Sequence, residues 1–192
     1  TIDAILLTES NSYRYKVPSD ASEGTNWVLN GGFDDSTWTI GSGPIGYQRN
    51  ITDYDGLLTE LVPELSKSIY QRSRFVLNPE DSFDLLTLFM KYDSGCVVYL
   101  NGSKALTLNA PLNPSYDDSA VGERPNVDGF FAQDFDISSV AHLLQSGTNT
   151  LAVHTLNFFD PAVNPFFSEL LMSYELQAQD LQPDISGQLR FF

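Results

Sequence analysis

Aromatic side chains stand beside carboxylate, amide and guanidinium groups in two polar segments of this chain. Residues 111–128 form a long polar segment with three prolines, and residues 157–164 follow an apolar stretch. Aromatic planes stack against the C–H faces of sugar rings, while the polar groups hydrogen-bond to sugar hydroxyls. This chemistry predicts a site for a polysaccharide or glycan. The candidate ligand-binding residues are Tyr47, Tyr116, Asp117, Arg124, Asn157, Phe158, Phe159 and Asp160.

The aromatic members of this set have an alternative interpretation. Phe158 and Phe159 can instead be buried beneath their own loop, and Tyr47 can belong to the site or to the core. A binding site requires exposed rings beside polar groups, whereas a purely structural loop requires buried rings.

The residues that usually perform covalent or acid–base catalysis do not form a recognisable pattern. Cys96 is the single cysteine and lies in an apolar run, where a free cysteine usually behaves as a small buried hydrophobe. The histidines, His142 and His154, accompany no HExxH motif and no nucleophile elbow. Asp93 could bind sugar hydroxyls, but its place before a glycine favours a turn residue. The sequence therefore predicts no enzymatic activity.

The composition excludes several classes of partner. Acidic residues outnumber basic ones, 25 to 10, which gives a formal charge of −15. Nucleic acids and anionic membrane surfaces both require basic patches, so we expect neither as a partner. No stretch reaches the roughly 18 apolar residues of a membrane span. The 192 residues suit one domain, and because the chain begins with Thr1, we expect a mature protein or a piece of a larger one.

Short apolar segments separated by turn residues predict an all-β sandwich with one or two short helical turns. The helical turns are expected at residues 59–68 and 136–144, and the glycine-rich segment 27–47 is expected to be an ordered loop with buried tryptophans. Tight turns are expected at Asp93-Ser94-Gly95 and at Asn101-Gly102. The predicted strands are residues 4–7, 13–17, 68–77, 83–91, 96–100, 104–109, 130–135, 149–156 and 167–176.

Four segments occur in an order that resembles one known family. They are FDDSTW, YDSGCVVYLNG, LLQSGTNTLAVH and FSELLMSYEL. They are similar to the motifs of galactose-binding-like jelly-roll domains, such as the sugar-binding domain of β-galactosidases and β-glucuronidases and the accessory modules of large secreted bacterial proteins. Two departures are Ser94, which replaces a second acid, and the aromatic loop after His154. The resemblance implies a jelly-roll sandwich over residues 1–176, followed by a tail or linker over residues 177–192.

The resemblance also implies a function and a cofactor. It implies a non-catalytic carbohydrate-binding accessory module, attached to neighbouring domains of an extracellular or cell-surface protein. The alternative is a structural or protein-interaction module without a sugar site. A structural calcium ion bound by Asp34, Asp35 and Glu169 is also implied, since calcium prefers carboxylate and carbonyl oxygens. Alternatively, Asp35 or Ser36 only caps a turn and positions Trp38 in the core.

Overall fold

The computed structural model describes residues 2–48, 54, 56–159 and 169–181, and within them two six-stranded sheets form a β-sandwich. This confirms the all-β fold class. None of the helices in these ranges has the length and apolarity needed to cross a membrane. In chain order the strands are β1 (Ile2–Leu7), β2 (Ser12–Lys16), β3 (Thr39–Ser42), β4 (Ile45–Tyr47), β5 (Glu60–Leu61), β6 (Ser68–Leu77), β7 (Leu85–Tyr92), β8 (Gly95–Leu100), β9 (Ser103–Leu108), β10 (Gln133–Asp136), β11 (Gly147–Leu156) and β12 (Leu170–Asp180).

The strands are divided between the sheets in the manner of a jelly roll. Sheet I has the order β10-β7-β12-β4-β5, and β1 also pairs with β12. Sheet II has the order β3-β2-β6-β11-β8-β9. Among the described strands, β4 and β5 pair in parallel and the other pairs are antiparallel. The chain therefore crosses between sheets repeatedly.

The main core lies between the two sheets and follows from the alternation of side chains along each strand. On β8, Cys96, Val98 and Leu100 face this core, as the sequence predicts. A second, smaller cluster covers the outer face of sheet II. Its buried members are Trp27, Val28, Trp38, Tyr70 and Ala152.

The Asp93-Ser94-Gly95 turn is present, but the strands on either side of it do not pair with each other. It carries the chain from β7 in sheet I to β8 in sheet II, and β8 pairs with β11 and β9. Ser94, not Gly95, has the positive φ, at 70°. Gly95 is required for a different reason, because a Cβ atom there would lie 2.4 Å from the backbone oxygen of Asn109. Local turn chemistry predicted the turn but not the sheet that follows it.

Other elements agree with the sequence prediction only in part. The helical turn expected at residues 59–68 is wrong, because the chain there forms β5, which pairs with β4. The turn expected at residues 136–144 is confirmed as the 3₁₀ helix Ser138–Leu143. A short α-helix, Asn126–Gly129, lies within the long polar segment. β12 continues to Asp180 because residues 177–180 pair with β1, so the strand ends later than predicted, and residues 182–192 lie outside the described part.

A buried arginine attaches the loop after β2 to the outer face of sheet II. Arg72 of β6 is 1 % exposed, and its Nε atom donates to Asp35 Oδ2 at 2.7 Å. Its Nη1 atom donates to the backbone oxygens of Trp27 and of Leu29, the latter at 3.0 Å. Arg74 Nη2 donates to the same Asp35 oxygen at 2.6 Å. Trp27 is held in the outer cluster by these bonds, which confirms its predicted burial.

Replacing Asp35 by Asn tests this attachment. Removing one partner of a buried ion pair leaves the other charge uncompensated, so we expect a loss of about 3 kcal/mol in the free energy of unfolding. Asp34→Asn is the matched control, because Asp34 is exposed and its Oδ1 atom accepts a hydrogen bond from the Ser36 backbone N–H. We expect that control to lose less than about 1 kcal/mol. Urea unfolding of both variants gives the comparison, and equal losses would contradict the proposed role of Asp35.

The close approach of β4 and β12 gives a second test. A Cβ atom on Gly46 would lie 1.7 Å from the backbone oxygen of Leu170, so the backbone must move to accept Ala. We expect Gly46→Ala to cost about 3 kcal/mol or more, measured by urea unfolding. Gly31→Ala is the control, since no atom lies within 4 Å of a Cβ atom there. A tolerated Gly46→Ala would mean that β4 does not pair with β12 as described.

Candidate ligand-binding pocket

A pocket of about 550 Å³ opens on the outer face of sheet II. Its floor consists of outward-facing residues on three neighbouring strands, namely Tyr70 of β6, His154 of β11 and Tyr99 of β8. The first two are directly opposite each other in the β6–β11 register. The walls come from the loop residues 20–29 and 113–116. Three strands and two loops that are distant in sequence therefore build one concave surface.

The aromatic floor is packed in a defined geometry. Trp27 stacks on Tyr70 with ring centroids 4.2 Å apart and an interplanar angle of 11°. His154 meets Tyr70 edge-on at 4.7 Å and 82°. Tyr99 meets Trp27 edge-on at 6.1 Å and 73°. Trp27 and Tyr70 are buried, whereas Tyr99 and Tyr116 are partly exposed. The accessible aromatic surface of the pocket therefore belongs mainly to the two partly exposed tyrosines.

His154 is a buried polar group in this aromatic floor. It is 2 % exposed, and its Nε2 atom has no hydrogen-bond partner in the structure. Burial lowers the pKa of His154 from 6.5 to about 3, so the imidazole is neutral at physiological pH. Most buried polar atoms in proteins are paired. His154 lines the pocket, so this buried, unpaired nitrogen is a position that a ligand hydroxyl or a water molecule can reach when the covering rings move.

The rim of the pocket is polar and acidic. Asp20, Glu23, Asn26 and Asn113 contribute carboxylate and amide groups. Glu23 accepts a hydrogen bond from Lys16, which does not line the pocket. Within the described ranges, the lining contains no arginine or lysine. Amides and carboxylates are acceptors and donors that match sugar hydroxyls.

Tyr116 lines both this pocket and a second one of about 390 Å³. The second pocket is lined by Val17, Pro18, Pro63 and Asp117, among others. The backbone oxygen of Tyr116 accepts a hydrogen bond from Ser68 Oγ at 2.5 Å, which attaches the loop to β6. We refer to the two pockets that share Tyr116 as the groove.

The sequence-predicted site residues divide between this groove and a buried polar cluster. Tyr116 and Asp117 border the groove. Tyr47 and Asn157 are 2 % and 1 % exposed, and Asn157 Nδ2 donates to the Tyr47 hydroxyl at 2.5 Å. This pair lies in the protein interior near the ends of β4 and β11. We therefore leave Tyr47 and Asn157 out of the candidate pocket.

The remaining predicted ligand residues lie near that cluster or beyond the described ranges. The guanidinium of Arg124 lies 4.0 Å from the centre of the Tyr92 ring and donates to the Tyr92 backbone oxygen. Phe158 and Phe159 are partly buried. Residues 115–120 and 157–159 do contact each other, since Ala120 N donates to Asn157 O at 2.8 Å. Asp160 lies outside the described residues.

The three predicted calcium ligands do not come together as one group. Burial alone would raise the pKa of Asp35, but hydrogen bonds from Arg74 and Arg72 outweigh it and hold the pKa below its usual value. Asp34 is exposed, and Glu169 accepts a hydrogen bond from Asn126 Nδ2 at 2.9 Å. Across the described ranges, no three His, Cys, Asp or Glu side chains form a group that could hold a metal ion. The arginine pairing takes the place that the resemblance assigns to calcium at Asp35.

A cysteine–histidine pair is excluded as a catalytic centre by the geometry of sheet II. Cys96 faces the main core, whereas His154 faces the outer cluster. Burial raises the pKa of the Cys96 thiol to about 12, so the reactive thiolate is not formed at neutral pH. The two side chains therefore lie on opposite faces of the same sheet.

Sequence reasoning missed Trp27, Tyr70, Tyr99 and His154 as pocket residues. Three of them lie within predicted strands, and alternation along those strands could have placed them on one face. The sequence does not show that β6, β11 and β8 are neighbours in sheet II. This strand order brings Tyr70, His154 and Tyr99 side by side.

Comparison with known proteins identifies the fold. No protein-family model and no curated protein matches the chain. Solved structures do match. A β-glycosidase from Bacteroides vulgatus matches with a TM-score of 0.51 and 14 % identity, over 90 % of this chain and 20 % of the glycosidase chain. A β-glucuronidase from an uncultured Clostridium species matches with a TM-score of 0.52 and 14 % identity, over 93 % of this chain and 29 % of the glucuronidase chain. A β-glucuronidase of glycoside hydrolase family 2 also matches, with a TM-score of 0.55 and 15 % identity, over 93 % of this chain and 18 % of the glucuronidase chain.

The chain has the fold of one all-β part of these glycosidases. It spans between about a fifth and about a third of the length of the enzymes compared. At these identities the likeness establishes the sandwich fold, in agreement with the resemblance seen in the sequence motifs, and nothing about the ligand.

The buried Asp93 predicts a pH dependence of stability. Burial raises its pKa from 3.8 to about 7, against the opposing effects of the Tyr54 hydroxyl and the Ser94 backbone N–H. The folded state therefore binds a proton more readily than the unfolded state, so this group makes stability fall as the pH rises from about 4 to about 7. The Asp93→Asn variant carries no charge at this position and so avoids this loss. At pH 8 we expect its free energy of unfolding to exceed that of the parent by on the order of 3 kcal/mol.

Thermal melts of parent and Asp93→Asn at pH 4, 6 and 8 measure this effect. Asp134→Asn, at an exposed position on β10, is the control and should leave the pH profile unchanged. A variant less stable than the parent at pH 8 would contradict the inferred cost of ionising Asp93.

Proposed function

We propose that this chain is a non-catalytic carbohydrate-binding domain of a larger secreted or cell-surface protein, and that the pocket on sheet II binds the glycan. The observation that carries the proposal is the combination of accessible tyrosine rings, a polar rim and an unpaired buried nitrogen in one cavity. The domain would act by equilibrium binding, holding neighbouring domains near a polysaccharide. The fold shared with part of several glycosidases supports this assignment.

Binding would rest on two kinds of contact. Tyr99 and Tyr116 present partly exposed rings on which sugar C–H faces can stack. Asn26, Asn113 and Asp20 stand around them with groups that exchange hydrogen bonds with hydroxyls. The floor beneath is already packed, so little ordering is required on binding, and this preorganisation favours affinity.

A structural calcium ion stays a prediction of the family resemblance. The ion would need ligands other than the set Asp34, Asp35 and Glu169, because Asp35 is paired with two arginines. Repeating each binding measurement in calcium and in chelator tests this prediction separately from glycan binding.

A structural or protein-interaction module is the second candidate. It is favoured by exposed apolar side chains in the segment 121–131, of which Phe131 is 69 % exposed and Val121 70 % exposed. Exposed apolar groups that lie close together often mark a protein contact. This function would use a different surface from the glycan pocket, so the two candidates can be separated by mutation.

A glycan array followed by titration calorimetry tests the leading proposal. We expect binding to one class of glycan, weakened about tenfold by Tyr116→Ala or Tyr99→Ala through loss of ring stacking. Phe131→Ala is the control, because it removes an exposed aromatic ring that does not line the pocket. Absence of binding by the folded parent, or equal loss in the control, would favour the structural module.

A further inference from the structure

The pocket has a neutral hydrogen-bonding group at its floor. His154 lies among Trp27, Tyr70 and the strands of sheet II, and its Nε2 atom has no partner. Among the described residues, the ring has no acidic neighbour that would stabilise its protonated form, and burial lowers its pKa to about 3. A neutral imidazole nitrogen can accept or donate one hydrogen bond, depending on its tautomer. A hydroxyl group, which both donates and accepts, matches either tautomer.

The charges around the pocket are unfavourable for an anion. Two carboxylates, Asp20 and Glu23, line it, and the described lining includes no basic side chain. Lys16, outside the lining, pairs with Glu23 and offsets one of the two charges, and Asp117 lines the second pocket beside Tyr116. The charges of Glu23 and Asp117 act on Tyr70 at the floor, where they add to the effect of burial in raising its pKa to about 12. A ligand carboxylate or sulfate at this floor would meet the same negative field.

We infer that the pocket selects glycans whose rings carry no carboxylate or sulfate, and that His154 Nε2 hydrogen-bonds to a ring hydroxyl of the bound sugar. This inference rests on the proposed function, since it specifies the ligand class of the same pocket. Discrimination arises from repulsion by the rim carboxylates, of which Lys16 offsets only Glu23, and from the lack of an unpaired cation among the described lining residues. A neutral sugar is not repelled by the carboxylates and needs no cation, and its hydroxyl gives the unpaired nitrogen a hydrogen-bond partner.

Titrations with matched oligosaccharides test the ligand class. The probes are galacto-, gluco- and manno-oligosaccharides and the galacturonate, glucuronate and mannuronate oligomers of the same length. The indole N–H signals of Trp27 and Trp38, the two tryptophans of the chain, report binding in heteronuclear NMR, because Trp27 lines the pocket. We expect at least one neutral series to bind, about tenfold or more tighter than its uronate counterpart at low salt.

Two sets of variants test the mechanism. Asp20→Asn combined with Glu23→Gln should tighten uronate binding while changing neutral binding little. His154→Leu should weaken neutral binding about three- to tenfold through loss of one hydrogen bond, and His154→Gln, which keeps a hydrogen-bonding amide, should weaken it less. His142→Leu is the matched control, because His142 is exposed and does not line the pocket. If His154→Leu does not fold, His154→Gln and the charge variant still decide the outcome.

The possible failures are distinguishable. Uronates that bind as tightly as the neutral oligosaccharides would overturn this inference and leave the proposed glycan binding intact. Neutral binding that is unchanged in folded His154→Leu would overturn the role of His154. If no oligosaccharide of either kind shifts the indole signals, the proposed function itself fails, and the inference fails with it.

Discussion

The buried guanidinium of Arg72 is the constraint on which the outer face of sheet II depends. A charge removed from water must be paired and hydrogen-bonded, and Arg72 does so through Nε to Asp35 and through Nη1 to the backbone oxygens of Trp27 and Leu29. Its Nη2 atom has no partner among the described residues. The bonds of Nε and Nη1 determine where the loop after β2 crosses the sheet. They place Trp27 over Tyr70 and so set one wall of the pocket. The geometry of a ligand site is thus controlled by an ion pair that does not line it.

Several residues in the recognisable motifs serve the scaffold. Asn101, in the turn with positive φ at residues 101 and 102, donates from Nδ2 to Asn149 Oδ1 at 2.8 Å and so joins two motifs across sheet II. Asp35, in another motif, holds Arg72, and Gly46, outside the motifs, permits the close approach of β4 to β12. Of the pocket residues, Tyr70, Tyr116 and the acidic rim lie outside the motifs, whereas Tyr99 and His154 lie within two of them. The motifs therefore indicate the fold well and contain only part of the pocket.

Buried polar groups are hydrogen-bonded differently in two regions of the protein. One region is the interior near Tyr47 and Asn157, and the other is the outer face of sheet II. At the first, Asn157 is bonded to the Tyr47 hydroxyl and to the Ser66 backbone oxygen, and Asp93 is fully buried. The hydrogen bonds of Asn157 hold the connecting loops together, whereas the burial of Asp93 makes its ionisation costly. On the outer face of sheet II, His154 keeps an unpaired nitrogen beside a cavity. Polar residues with similar sequence context therefore have different roles, depending on whether neighbouring backbone satisfies them.

The sequence by itself determined the local conformation of most of the chain. Alternation and turn chemistry predicted β6 at its observed bounds, the Asn101-Gly102 turn, the Ser138–Leu143 helical turn and the inward face of β8. These features depend on neighbouring residues and on side-chain periods of two or about three and a half. Tertiary structure alone decided that β8 leaves the sheet of β7, that Asp35 meets arginines on β6, and that Tyr70, Tyr99 and His154 meet in one pocket. Those outcomes depend on strand order and on contacts between residues far apart in the chain, which no local pattern records.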